Sequence, residues 1–194
     1  MNYQNEIDAN YYLARFNEIL HYMSRDMLVT ETTNNITIDF IRCMIPHHLA
    51  AIYMCDNLLN YTNYAPLANV ASNMIKIEEN EIKQMQEIAE TAMPYINLKK
   101  EVDNYFKKYF KITQNMINEM RNSKTTVDIN LDFTYEMIPH HEGAIKMCQN
   151  LLKYPIDTRL GMLANNIIMQ KSEGIKMLKT IQRNLNKNIF NFFN

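Results

Sequence analysis

Apolar residues recur every three or four positions in two distant stretches: Leu13, Phe16, Leu20, Met23 and Met27, then Val102, Tyr105, Tyr109, Ile112, Met116 and Met120. That period predicts amphipathic helices over about 8–28 and 100–122. A second pair is predicted over about 37–60 and 130–153, each after a Thr/Asn-rich loop. Thr37 and Asn130 are the expected N-caps, and Asp39 and Asp132 fall in the first turn, where a carboxylate suits the helix dipole. A third pair, over about 65–91 and 158–185, follows short links at Tyr61–Tyr64 and Tyr154–Asp157, and Pro94 marks a hinge between the halves. Pro46 and Pro139 lie inside the second pair. Phe40, Met44 and His48 keep i, i+4 spacing across Pro46, so the reading is a helix kinked at the proline. The carbonyl of Arg42 or Tyr135 then lacks its usual donor, and an imidazole N–H or a water is expected to satisfy it.

The six elements form two series of three because the chain repeats itself. Asp39–Tyr61 aligns without gaps on Asp132–Tyr154 with 15 identities in 23 positions, an offset of 93 residues that also pairs Ile19 with Ile112, Met23 with Met116 and Met27 with Met120. Further on, one residue is expected to drop out, setting Glu81 on Glu173 and Met85 on Met177. With 3 Gly and 5 Pro among 194 residues and 47% hydrophobic content, the chain is poor in turn formers and reads as all-α. The expected fold is one compact helical bundle of two pseudo-symmetric three-helix repeats, residues 1–93 and 94–194.

Charge narrows the partners. Lys plus Arg number 20 against 21 for Asp plus Glu, with no basic stripe to neutralise phosphates, so nucleic acid is not an expected partner. No apolar run approaches the roughly 20 residues that span a bilayer, and Met1 to Ala14 is polar and lacks the apolar region of a leader. The expectation is a cytoplasmic protein with no membrane partner. Cys43, Cys55 and Cys148 are odd in number and lack CxxC spacing, which fits a reducing compartment rather than a disulfide framework.

The chemistry concentrates in Met44-Ile45-Pro46-His47-His48 and its copy Met137-Ile138-Pro139-His140-His141, which hold four of the five histidines. At about 100° per residue, Phe40, Met44, His47, His48, Ala51, Met54, Cys55 and Leu58 share an arc of roughly 120° on one helix face. Ala51, like Ala144 in the second copy with Met147 and Cys148, leaves room in that arc. Met23 and Met27, with Met116 and Met120, are i, i+4 pairs able to bring thioethers from a second helix, and Met85 and Met177 from a third. Thioether and imidazole donors without clustered carboxylates select a soft ion, and Cu(I) is the best match. Adjacent histidines project about 100° apart, so one of each pair is expected to bind and the other to orient it or to cap the backbone. Cys55 and Cys148 would bind Cu(I) as thiolates. The competing account is packing: methionine fills helical cores, and buried cysteine acts as a small hydrophobe. Cys43, with Glu136 at its repeat position, is expected to be incidental.

The pattern Phe40-x-x-x-Met44-Ile45-Pro46-His47-His48-x-x-Ala51-Ile52-x-Met54, its copy from Phe133 to Met147, and the later Glu81-x-x-x-Met85 and Gln170-x-x-Glu173-x-x-x-Met177 resemble the family called domain of unknown function 305. The resemblance implies a ferritin-like helical bundle and, for some members, copper binding. It implies as ligands Met44, His47, His48 and Met54, and Met137, His140, His141 and Met147, with Met23, Met27, Met116 and Met120 as partners. Relatives carry alanine where Cys55 and Cys148 stand, and many are exported. Leu49 against Glu142, and Glu78 against Gln170, lead us to expect two unequal sites.

Sequestration or buffering of Cu(I) is therefore the expected function, without catalysis, since no base or nucleophile accompanies the donors. A bundle without metal is the alternative, its aromatic tail Phe190, Phe192 and Phe193 docking on a partner or on a second copy as a homodimer. A ferritin-like redox enzyme fits less well. Its Glu-x-x-His motif is absent, Glu136 and His140 are four apart, and Glu81 and Glu173 are the carboxylates left to serve.

Overall fold

In the computed structural model, which describes residues 3–28, 32–92 and 96–192, six helices follow one another: α1 (Tyr3–Leu28), α2 (Ile36–Leu59), α3 (Ala65–Thr91), α4 (Lys99–Arg121), α5 (Ile129–Leu151) and α6 (Thr158–Phe192). All regular structure among the described residues is helical, an all-α bundle of two repeats. Helix α1 begins earlier and α6 ends later than the apolar period alone predicts. The expected hinge at Pro94 and the ring of Phe193 lie outside the described residues, as do the side chains of Phe190 and Phe192.

The N-caps of α2 and α5 sit two residues before the expected Thr37 and Asn130. Asn35 accepts from the N–H groups of Thr37 and Ile38, and Asp128 from that of Asn130. A cap oxygen reaches the second or third helical N–H, and Thr37 and Asn130 occupy the second place. The Thr37 hydroxyl accepts instead from the N–H of Asp157, 3.0 Å away, tying down the link before α6. Asp39 and Asp132 do lie in the first turns, where each clamps its preceding loop: Asp39 takes the N–H and hydroxyl of Thr33, both at 2.9 Å, and Asp132 those of Thr126, at 2.8 and 2.7 Å.

Helix α2 packs against α1, α3 and α5, while α5 packs against α4, α6 and α2; contacts of α1 with α4 and of α3 with α6 close the bundle. The histidine-bearing helices are thus the middle pair, and they bury residues around most of their girth, whereas α4 buries one stripe from Val102 to Met120. A repeated lock joins the first two helices of each half: Asn57 Nδ2 donates to the carbonyl of Tyr12 (3.0 Å) and Asn150 Nδ2 to that of Tyr105 (3.1 Å).

The buried stripe of α3, from Leu67 through Ala71, Met74, Glu78, Glu81 and Met85 to Ile88, maps on Leu160, Ala164, Ile167, Lys171, Gly174, Leu178 and Ile181 at a constant offset of 93. The expected one-residue gap is therefore absent. Glu173 and Met177, which suggested it, stand on the outer side of α6. Register follows the residues that pack, not the letters on the wet face. In this register Lys171 takes the place of Glu78, and Gly174 that of Glu81.

Gly143 of α5 lies against the Met116 side chain of α4. A Cβ there would lie 2.2 Å from Met116 Sδ and 2.6 Å from its Cγ. Gly143→Ala should therefore overpack this contact and destabilise the fold by about 1–3 kcal/mol. The denaturation midpoint should drop at constant slope; an unchanged midpoint would show that the helices separate freely.

Candidate metal centre

The first histidine of each pair faces the other half of the molecule. His47 and His140 stack with ring centroids 3.7 Å apart and 28° between planes. Each Nε2 donates to the partner's backbone carbonyl, His47 to His140 at 3.3 Å and His140 to His47 at 3.1 Å. Helices α2 and α5 run unbroken through Pro46 and Pro139, and the imidazoles donate across the crossing rather than to the carbonyl of Arg42 or Tyr135. Each ring that donates through Nε2 leaves Nδ1 as a lone pair, and neither Nδ1 has a hydrogen-bond partner.

The second histidines differ. His48 stays within its own half, with Nδ1 3.0 Å from the Met44 carbonyl and Nε2 2.8 Å from Glu81 Oε2. Lys171 reaches in from α6 and places its ammonium 2.7 Å from the same Glu81 oxygen and 2.8 Å from Glu78 Oε1. Burial alone would raise the pKa of Glu81, but the hydrogen bond from His48 and the charge of Lys171 carry it down. Burial works against the Lys171 charge, and Glu78 and Glu81 outweigh it, so the lysine pKa is raised. With acceptors on both sides, His48 bonds both only when each ring nitrogen carries hydrogen.

His141 has no such acid, because Gly174 stands where Glu81 does. A Cβ on Gly174 would lie 3.0 Å from Cδ2 and Nε2 of His141 and 3.5 Å from Met74 Cε. The missing side chain leaves a cavity of about 60 Å³ lined by Met74, Glu78, His141, Gln170, Lys171 and Met177, among others. His141 Nδ1 and Gln170 Oε1 have no partner.

Burial holds the His47, His140 and His141 imidazoles neutral. It pushes His140 down to about 3, aided by the charges of Lys171 and His48 against the hydrogen bond to His47. Burial and neighbouring positive charge likewise hold His47 and His141 well below the ordinary imidazole range.

The sulfur donors divide into two groups. Met23, Met27, Met44, Met54, Met85, Met116, Met120, Met137 and Met147 are buried in the single apolar core, and the Met116 side chain lies directly over Gly143. Met74, itself a core residue, and Met177, 41% exposed, border the His141 cavity. Cys55 and Cys148 are free thiols in the core, and burial raises both well above the usual thiol range, so they stay protonated. Glu136 accepts the hydroxyl of Tyr12 at 2.5 Å, far from any ligand role, and burial pushes its carboxyl well up. Glu173 pairs with exposed Lys176 rather than with a histidine.

Sequence reasoning missed Lys171 altogether. The available signal was the strict 93-residue offset, which sets Lys171 on Glu78, two opposite charges within otherwise apolar stripes.

The sequence model described as Domain of unknown function (DUF305) matches residues 14–89 and 108–185, one segment in each half. No curated protein matches the chain. Among solved structures it is similar to a crystal structure of a DUF305 fragment from Deinococcus radiodurans, at 15% identity and a TM-score of 0.56 over 77% of this chain and 96% of that one. At that identity the likeness is one of fold.

Proposed function

Because the chain belongs to the family described as Domain of unknown function (DUF305), two copies of which span most of its length, a description that names no activity, we propose from the geometry that it binds Cu(I). Methionine and histidine donors would sequester or buffer the ion. The observation that carries this reading is the set of unpartnered Nδ1 atoms on the buried histidines His47, His140 and His141. A buried acceptor without a donor costs about 1–3 kcal/mol and calls for an explanation, which a bound ion supplies. Kept neutral by burial, His47 and His140, which donate through Nε2, present their Nδ1 lone pairs at neutral pH, and His141 presents a lone pair on one of its two nitrogens. Thioethers are carried by the same helices, on the buried Met44, Met54, Met137 and Met147, and Met74 and Met177 border the His141 cavity. Imidazole with thioether suits a soft monovalent ion better than a hard one. Among the described residues no helix is long and apolar enough to cross a membrane.

Anaerobic titration of the reduced protein with Cu(I) against a chromogenic chelator tests the reading. Uptake that outcompetes the chelator, weakened at least tenfold by His141→Ala, is the expected result; failure to compete would end it. A second reading has its own support in the reciprocal His47 and His140 bonds, which lock the helix crossing without any metal. It would stand alone if Cu(I) were not taken up while His47→Ala and His140→Ala lowered the melting temperature.

A further inference from the structure

Lys171 sits where a cation with two charges would be held. His48 Nε2 and one oxygen from each of Glu78 and Glu81 lie within 4.8 Å of one another, all three residues buried. Glu78 Oε2 and Glu81 Oε1 have no hydrogen-bond partner, and Glu78 Oε2 lies 3.4 Å from His48 Nε2, turned toward the same centre. One imidazole and two carboxylates suit a borderline divalent ion and offer a soft one little. The ammonium of Lys171, on Glu78 Oε1 and Glu81 Oε2, fills the charge requirement of that group.

We propose that His48, Glu78 and Glu81 form a site for a borderline divalent cation such as Zn(II), and that Lys171 is its resident counter-ion, so that metal and ammonium exclude one another. The repeat explains why α6 supplies no matching pair of carboxylates: the positions matching Glu78 and Glu81 there are Lys171 and Gly174. The same exchange supplies a place for the displaced lysine. The cavity beside it, about 60 Å³, holds room for a water-sized group, and the unpartnered Oε1 of Gln170, a lining residue, can accept from an ammonium there. On binding, the ion takes the His48 Nε2 lone pair, the proton on that nitrogen passes to solvent, and Lys171 keeps its charge. This goes beyond Cu(I) binding, which uses the unpartnered nitrogens and thioethers, so either reading can fail alone.

The test is displacement of Zn(II) from a chromogenic chelator by the native chain, by Lys171→Met, by Lys171→Gln and by Lys171→Met with Glu81→Gln. Lys171→Met should bind Zn(II) at least tenfold more tightly than the native chain, and Zn(II) but not Mg(II) should raise its melting temperature. Adding Glu81→Gln should abolish the gain. Lys171→Gln, which keeps a neutral donor for Glu81, should also exceed the native chain. If Lys171→Met folds only when Zn(II) is added, the site is supported in the same sense. If both lysine variants bind Zn(II) within threefold of the native chain, or if Glu81→Gln leaves the gain in place, Lys171 is an ordinary ion-pair partner and the proposal falls. Cu(I) uptake is read separately, on His141→Ala with Lys171 in place, which separates the two readings.

Discussion

Lys171→Met is expected to destabilise the metal-free protein by about 3–5 kcal/mol, the range for removing one partner of a buried ion pair. The replacement nearly conserves length and volume, so little of the loss would come from a void. It would come from Glu78 Oε1 and Glu81 Oε2, both fully buried and both left without the ammonium. The full effect should be present at neutral pH. Because the lysine pKa is raised in the fold, its contribution is complete below the unfolded value of about 10.4 and is lost only as pH rises through the higher folded value. Glu81 has the opposite sign: its lowered pKa makes its contribution complete above the unfolded value of about 4.3 and lost as pH falls through the folded one. A double-mutant cycle of Lys171→Met with Glu78→Gln, read by chemical denaturation at pH 7, isolates the pair. Residues in direct contact should couple by about 0.5–3 kcal/mol. Strictly additive losses would mean that the ammonium contributes nothing through Glu78.

That lysine also marks where sequence reasoning stopped. The apolar period located six helices, and the duplicated Met-Ile-Pro-His-His segment located the middle pair, because both signals depend on spacing alone. Which face of α6 turns inward depends on how it meets α3 and α5, and spacing leaves that open. Lysine is almost never buried without a partner, so Lys171 reads as a surface residue until Glu78 and Glu81 are seen opposite it. The same limit applies to the histidine pairs. Their separation of about 100° on the helix shows that two neighbours cannot do the same thing. Only the packing of α2 on α5 shows that His47 and His140 meet each other, while His48 and His141 turn toward the third helices. The difference between the last two comes down to one residue, Glu81 against Gly174. A single shifted register, with Glu173 set on Glu81, hides it.

His140→Asn is expected to remove about 1.4 kcal/mol per pH unit from the acid slope of stability below pH 6.5. In the unfolded chain the imidazole titrates near 6.5; in the fold it is pushed down to about 3. Between those values the unfolded state binds a proton that the native state does not. Stability therefore rises with pH across the window and is lost as pH falls, by about 4–5 kcal/mol for this one residue over its whole span. His47 and His141 act in the same direction. Buried carboxylates act in the other. Asp132, raised to about 6 by burial against its Thr126 hydrogen bonds, holds a proton in the fold that the unfolded chain releases above about 3.9, which favours the folded state by about 3 kcal/mol at the acid end. Asp39 and Glu136 are raised as well. The native curve alone is then a partial cancellation between pH 4 and 6.5, with the histidine slope emerging below about 4, once unfolded carboxylates are also protonated. The difference between native and His140→Asn curves removes the carboxylates and leaves the imidazole. Parallel curves would mean that His140 carries a proton in the fold, and a protonated ring has no lone pair to offer a metal.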